Sequence, residues 1–302
     1  MDAIVSAGGV PVPEEPLYPY TLGRPKAMVD VAGRPMIQWV LDALSDSKTV
    51  ENVVVVGLTE KSGLKCRKKL YYVSNQGKML ENLRAGARKA LEINRKAEHA
   101  LLVSSDIPTI SAEMVDWVVN TASRTNEDIY YNVIQREVME KRFPGSKRTW
   151  TRLKDMEVCG GDMNVGRLSL IVGDDNDTWE KITDARKSPF KQASLIGFNT
   201  IVPLFFRQLT LEKAVQNIMA RFEITGRALI CPYAEVGMDV DKPHQLEMLR
   251  ADLKKRLKKA EKAAKPAGKA KARAAAKSSP RGKKPLKKPV RSSPKGKKTA
   301  RR

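Results

Sequence analysis

Histidine and cysteine are scarce in this chain, and long apolar runs are missing altogether. Of 302 residues, two are His and three are Cys. Cys66, Cys159 and Cys231 are widely spaced, with no C-x-x-C pair. That excludes a zinc ribbon or a disulfide framework and suits reduced cytosolic thiols. His99 and His244 lack metal-ligand spacing, and neither is expected to be catalytic. No run approaches the ~18–20 apolar residues that span a bilayer, and Met1-Asp2 leads into a strand with no basic or apolar leader. The expectation is a soluble, cytoplasmic protein.

Charge is plentiful but segregated. The net formal charge is +22, from 56 Lys/Arg against 34 Asp/Glu. From Lys254 to Arg302 there are 22 Lys/Arg and one acid, Glu261, which leaves 34 against 33 in residues 1–253. A nearly neutral domain, 1–253, is thus expected to carry a disordered Lys/Ala/Pro-rich tail, 254–302. The tail lacks the apolar content to offset its ordering entropy. A chain of ~250 residues buries roughly 70–75% of its unfolded surface and needs no staple.

Patterning gives the fold class. Ala3-Ile4-Val5, Asn52 to Gly57, Leu70 to Val73 and Ala100 to Val103 are apolar runs of the kind that parallel sheets bury on both faces. Helices are expected from Pro35 to about Ser45–Ser47, from Lys78 to Ile93, and after Ser111, which is placed to cap its helix. Strand and helix alternate three times, which predicts a three-layer α/β/α sandwich with a mixed, mostly parallel sheet. Further on, Asp128 to Gln135 reads as a strand and Thr149 to Val158 as half of a hairpin. Asn164 to Val172 is the other half or a return to the main sheet. Helices are expected at 177–187, 190–195 and Leu211 to Phe222, then a strand at Ala228 to Cys231 and a last helix from Pro243.

Three islands fall where predicted strands end, and ligands of such sheets bind outside the carboxyl ends of the strands. The first is Ala7-Gly8-Gly9, followed through a proline-rich loop by Gly23-Arg24-Pro25-Lys26. Glycines let backbone N–H groups approach phosphate oxygens, and a lysine adds a mobile positive charge. The second is Ser104-Ser105-Asp106-Ile107-Pro108. The third is Gly237-Met238-Asp239-Val240-Asp241-Lys242-Pro243, whose two aspartates alternate and so point to one side if extended. Carboxylates at two segment ends suit Mg²⁺, which takes hard oxygen ligands and bridges to substrate phosphates. Each island also has a plain structural use: a turn for Gly8-Gly9, a surface role for Lys26, a cap for Asp106 or Asp241.

Taken together, residues 1–250 resemble the MobA-like NTP transferase family, of the GT-A (nucleotide-diphospho-sugar transferase) type. The closest stretches are Gly23 to Leu44, Val103 to Pro108 and Gly237 to Leu249. Lys147 to Lys154, continuing to Gly160-Gly161-Asp162-Met163-Asn164, looks like the family's substrate-side hairpin and glycine turn. The resemblance implies that Ala7, Gly8, Gly9, Arg24 and Lys26 face a nucleoside triphosphate, with Asn75 and Gly77 near its base or ribose. It implies Lys26 and Asp106 as catalytic residues, Mg²⁺ held by Asp106 with Asp239 or Asp241, and an acceptor side at Gly160, Gly161 and Asn164. The implied reaction transfers a nucleoside monophosphate, from CTP or GTP first of all, to a small phosphorylated acceptor with release of pyrophosphate.

This chain departs from the family's G-x-G-x-R turn, because Val10-Pro11-Val12-Pro13 takes the place of the third glycine and the arginine. Two other readings therefore stand beside the first: a GT-A glycosyltransferase, and a catalytically impaired core whose tail is the working part. The tail carries Ser279-Pro280-Arg281-Gly282-Lys283-Lys284 and Ser293-Pro294-Lys295-Gly296-Lys297-Lys298, which resemble linker-histone-like tails. Such a segment is expected to bind nucleic acid through phosphates, without base readout.

Overall fold

The computed structural model describes residues 1–173 and 207–277. A nine-stranded sheet lies at its centre. The strands are β1 (Asp2–Ser6), β4 (Asn52–Val56), β5 (Lys69–Val73), β6 (His99–Ser104), β7 (Ile129–Gln135), β8 (Thr151–Arg152), β9 (Glu157–Gly160), β10 (Met163–Arg167) and β11 (Gly226–Ile230). A separate two-stranded ribbon is formed by β2 (Asp30–Val31) and β3 (Arg34–Pro35). The main order is β5-β4-β1-β6-β10-β7-β9-β8, with β11 also on β7. β10 and β9 run against the other seven strands, so the sheet is mixed and mostly parallel.

Period-two alternation covers both faces. Ala3, Val5, Val53, Val55, Leu101 and Val103 pack with α2 (Met36–Asp46) and α4 (Ala112–Ala122) on one side. Ile4, Val54, Val56 and Ala100 pack with α3 (Met79–Ile93) and α6 (Leu168–Val172) on the other. Gly86 lets α3 close down on β1, because a Cβ there would lie 2.6 Å from the Ile4 methyl. The helices expected from Pro35, Lys78 and Leu211 are present, the last as α7 (Leu211–Phe222). The two at 177–187 and 190–195 lie outside the described residues.

Several expectations need correction. Ser111 occupies the N-cap position of α4, but its hydroxyl makes no capping bond. Both arms of the predicted hairpin fall inside 151–160, where β8 pairs with β9. The stretch 164–172 returns to the main sheet as β10, antiparallel to β6, and then turns helical, with Leu168 and Ile171 buried. Two short helices were not anticipated, α1 (Tyr18–Thr21) and α5 (Arg136–Arg142); both are too short to show a clear periodic stripe. The last helix, α8, runs Pro243–Lys277. Contacts divide the chain into Met1–Lys255 and Arg256–Arg302.

Candidate active site

Sheet register assembles the first half of the site. Ser6 pairs with Val56 on one side and with Ser104 on the other, and Val56 pairs with Val73. The residues that follow, Ala7-Gly8, Gly57, Asn75 and Asp106, therefore leave the sheet along one edge. Ala7 is buried and its N–H donates to Val56 O at 2.8 Å. Gly57 has φ +102°, and a Cβ there would sit 2.2 Å from the Gly8 Cα, so backbone packs on backbone at this point. The Asn75 Nδ2 donates to Gly8 O at 2.9 Å, and the Gly77 N–H donates to Asn75 Oδ1. Asn82, in the first turn of α3, holds the same loop: its Nδ2 donates to Asn75 Oδ1 at 3.0 Å and its Oδ1 accepts from the Gln76 N–H at 2.7 Å.

The proline-rich loop after Gly9 is closed by one bond, Lys26 N–H to Gly9 O at 2.9 Å. Lys26 is thereby brought beside the glycine turn. Its ammonium lies 2.6 Å from both Asp106 Oδ2 and Asp241 Oδ1, with only 18% of the side chain exposed. Burial alone would lower the Lys26 pKa, but the charges of Asp106 and Asp241 outweigh it and hold the pKa above the usual lysine value. Arg24, in contrast, is exposed and its Nε donates to Thr21 O at 3.2 Å.

The second half is made of carboxylates. Asp106 accepts from the Ser104 hydroxyl at 2.5 Å, and its carbonyl accepts from the Val240 N–H at 3.0 Å. That backbone bond fixes the Asp239–Asp241 segment against the end of β6. The segment does not leave a strand end, as the sequence suggested; it follows a 3-10 turn, Ala234–Gly237, placed after β11. The Gln245 Oε1 then accepts from the Asp241 and Lys242 N–H groups at 2.9 Å, the N3 half of a capping box at the start of α8. Asp241 is thus free of the cap role and pairs with Lys26. Carboxylate oxygens of Asp106, Asp239 and Asp241 all lie within 4.8 Å of one another.

Arg148 completes the arrangement and was missed from sequence. Its guanidinium pairs with Asp239 and lies 3.9 Å from Asp162 Oδ2. It belongs to the Lys147–Lys154 stretch, but a contact with Asp239 has no local signature. Four carboxylates, Asp106, Asp162, Asp239 and Asp241, are here paired with two cations, Lys26 and Arg148. The donor set is all hard oxygen and carries surplus negative charge, which fits a divalent cation such as Mg²⁺.

Gly160, Gly161 and Asn164 are occupied within the sheet. Between the pairs Val133–Gly160 and Tyr130–Val165, β7 advances by two residues while the other strand advances by four, Gly161 to Asn164. The Asn164 amide stitches this bulge, accepting from the Asn132 N–H at 2.8 Å and donating to Gly161 O at 2.9 Å. A Cβ on Gly160 would meet the Tyr131 hydroxyl at 2.2 Å. The bulge delivers Asp162, whose N–H bonds Val236 O and whose carbonyl accepts from Ser104 N–H, both at 2.8 Å. Among the thiols, Cys159 and Cys231 are buried, and burial pushes Cys231 up to about 12. No helix among the described residues is long and apolar enough to cross a membrane.

No protein with a curated description matches the chain. A hypothetical transferase from Thermus thermophilus matches at 31% identity with a TM-score of 0.69, over 81% of this chain and 98% of that one. More distant likenesses are CMP:2-keto-3-deoxy-manno-octonic acid synthetase complexed with CTP (14% identity, TM-score 0.49, 84% of this chain and 98% of that one) and 4-diphosphocytidyl-2C-methyl-D-erythritol synthase from Anaerococcus prevotii DSM 20548 (15%, 0.48, 83% and 95%). The family model for the MobA-like NTP transferase domain covers residues 21–277, starting beyond the altered Gly8-Gly9 turn and including Lys26, Asp106, Arg148 and both aspartates of the third island. The chain belongs to the MobA-like NTP transferase family.

Proposed function

We propose that the chain transfers a nucleoside monophosphate from a nucleoside triphosphate, CTP or GTP first of all, to a small phosphorylated acceptor, releasing pyrophosphate. The observation that carries this reading is the Lys26 ammonium, 2.6 Å from Asp106 and Asp241, beside a glycine turn at the same sheet edge. The Gly8 and Gly9 backbone lines the triphosphate, with Asn75 and Gly77 fixing the loop toward base and ribose. Asp106, Asp239 and Asp241 would hold Mg²⁺, which when bound supplies positive charge to the α-phosphate and the leaving pyrophosphate. Lys26 exchanges its carboxylate partners for phosphate oxygens and neutralises charge that builds up on them in the transition state. The acceptor phosphate attacks the α-phosphorus, and the bond to the β-phosphate bridging oxygen breaks. A phosphate nucleophile is already ionised near neutral pH, so no general base is required.

The test is pyrophosphate release from each of ATP, CTP, GTP and UTP across a panel of sugar phosphates and other small phosphomonoesters, with Mg²⁺. Nucleotide-specific, acceptor-dependent release supports the reading. Turnover of sugar nucleotides without pyrophosphate would replace it with the glycosyltransferase alternative.

A second property is proposed for residues 254–302, favoured by the confinement of 22 Lys/Arg to that segment. The segment binds polyanions such as nucleic acid without base readout. Neutralising six phosphates gives a log–log salt slope of about −5. Removing 278–302 should weaken that binding and leave nucleotide affinity within about twofold, read by anisotropy with a labelled DNA duplex over a salt series.

A further inference from the structure

We infer that Arg148 is the resident counter-ion of the carboxylate cluster, exchanged for the divalent cation when the site is loaded, and so a residue that sets metal affinity. This rests on the metal reading proposed above. The two cations of the site pair with different carboxylates. Lys26 comes from the nucleotide loop and bridges Asp106 and Asp241. Arg148 comes from the segment preceding β8 and pairs with Asp239, the most buried of the three cluster carboxylates, with Asp162 at its far side.

Its placement is built. Ser146 is fully buried, and its carbonyl lies 3.3 Å from the His244 Nε2 on α8. Lys147 then takes φ +53°, a left-handed conformation uncommon for a residue with a side chain, and this turn sends Arg148 inward. Only 14% of the Arg148 side chain is exposed. Its buried Nε has no hydrogen-bond partner, so the guanidinium is not fully satisfied where it stands. Asp162, which would retain the guanidinium after Asp239 is taken by metal, is bolted through its own backbone to Val236 and Ser104.

A guanidinium within ion-pair reach of Asp239 opposes a dication at the same carboxylate. At an effective dielectric of about 20, unit charges ~4 Å apart repel strongly enough to move a binding constant by an order of magnitude or more. Arg148 therefore competes with the metal for Asp239 and, once displaced, has N–H donors to spare for a bound phosphate.

The experiment is a Mn²⁺ titration of the full chain, followed by the electron paramagnetic resonance signal of the free ion, for wild type, Arg148→Gln and Arg148→Lys. The expected result is at least roughly tenfold tighter Mn²⁺ binding by Arg148→Gln, with Arg148→Lys near wild type because it keeps the charge. A merely structural arginine would on removal weaken metal binding or leave it unchanged, and either result overturns the inference while leaving the metal reading intact. Absence of Mn²⁺ binding in wild type and both variants overturns both. If Arg148→Gln fails to fold by thermal melting, Arg148→Met keeps the aliphatic stem packed and faces the same criterion.

Discussion

The Gly8 side of the site is made of backbone packed on backbone, whereas the Asp106 side is made of charged side chains delivered by segments far apart in the chain. On the first side, Gly57 touches Gly8 and two asparagines pin the turn, so shape is fixed by atoms with few degrees of freedom. On the second, Lys26 and Arg148 hold carboxylates whose mutual repulsion would otherwise push them apart. On the proposed function the contrast separates two duties: a rigid cradle to discriminate ligands by fit, and a charge cluster to exchange its own cations for a divalent metal.

Variants that act on one side only can break or sharpen this division. The largest effect is expected at the charge cluster: Lys26→Met should lower turnover by about 10²–10³-fold, since the lysine is proposed to serve developing charge, and should also lower the melting temperature, because Asp106 and Asp241 lose their shared partner. Pyrophosphate-release kinetics beside a thermal melt would check it. Gly57→Ala attacks the cradle. It places a Cβ against the Gly8 backbone at positive φ and should cost about 3 kcal/mol of stability, read by urea denaturation.

Away from both sides, Asp128 accepts from Thr225 N–H and Oγ1–H at 2.8 Å and from Arg167 Nε at 2.6 Å, joining β7 to the approach of β11 and the end of β10. Burial raises its pKa, but the Thr225 and Arg167 donors prevail and hold it below the ordinary 3.8. A depressed carboxylate pKa stabilises fully above the ordinary value and loses that contribution as pH falls through the native-state pKa. Asp128→Asn should thus cost on the order of 1–3 kcal/mol at neutral pH, the gap to wild type closing in acid below about pH 4, while nucleotide binding is untouched. Denaturation at several pH values would show it. The smallest effect is expected for Asn82→Ala, which frees Asn75 without touching the cluster: KM for nucleotide should rise about tenfold with kcat little changed, whereas an equal fall in kcat would erase the separation of duties.

How far the sequence revealed these parts follows from the range of the interactions. Apolar runs and glycine punctuation are local, so β1, β4, β5, β6 and the helices beside them were legible, and with them the edge that carries Gly8, Lys26 and Asp106. The alternation of Asp239 and Asp241 was legible too, and the cluster brings both to Asp106. Gly57 could have been found by the same signal as Gly8, a glycine ending a buried strand. Arg148 could not, because nothing in Lys147 to Lys154 states which carboxylate it meets. The bulge at Gly161 to Asn164 also eluded pattern reading: a glycine pair before an apolar stretch looks the same whether it turns a hairpin or shifts one strand from β7 onto β6.

The most direct measurement of the central claim is calorimetric titration of ATP, CTP, GTP and UTP, with and without Mg²⁺, into wild type and Asp106→Asn. Micromolar, Mg²⁺-dependent binding of one nucleotide, lost in the variant, is expected. Binding of none of the four, or binding indifferent to Mg²⁺ and to Asp106→Asn, would contradict it.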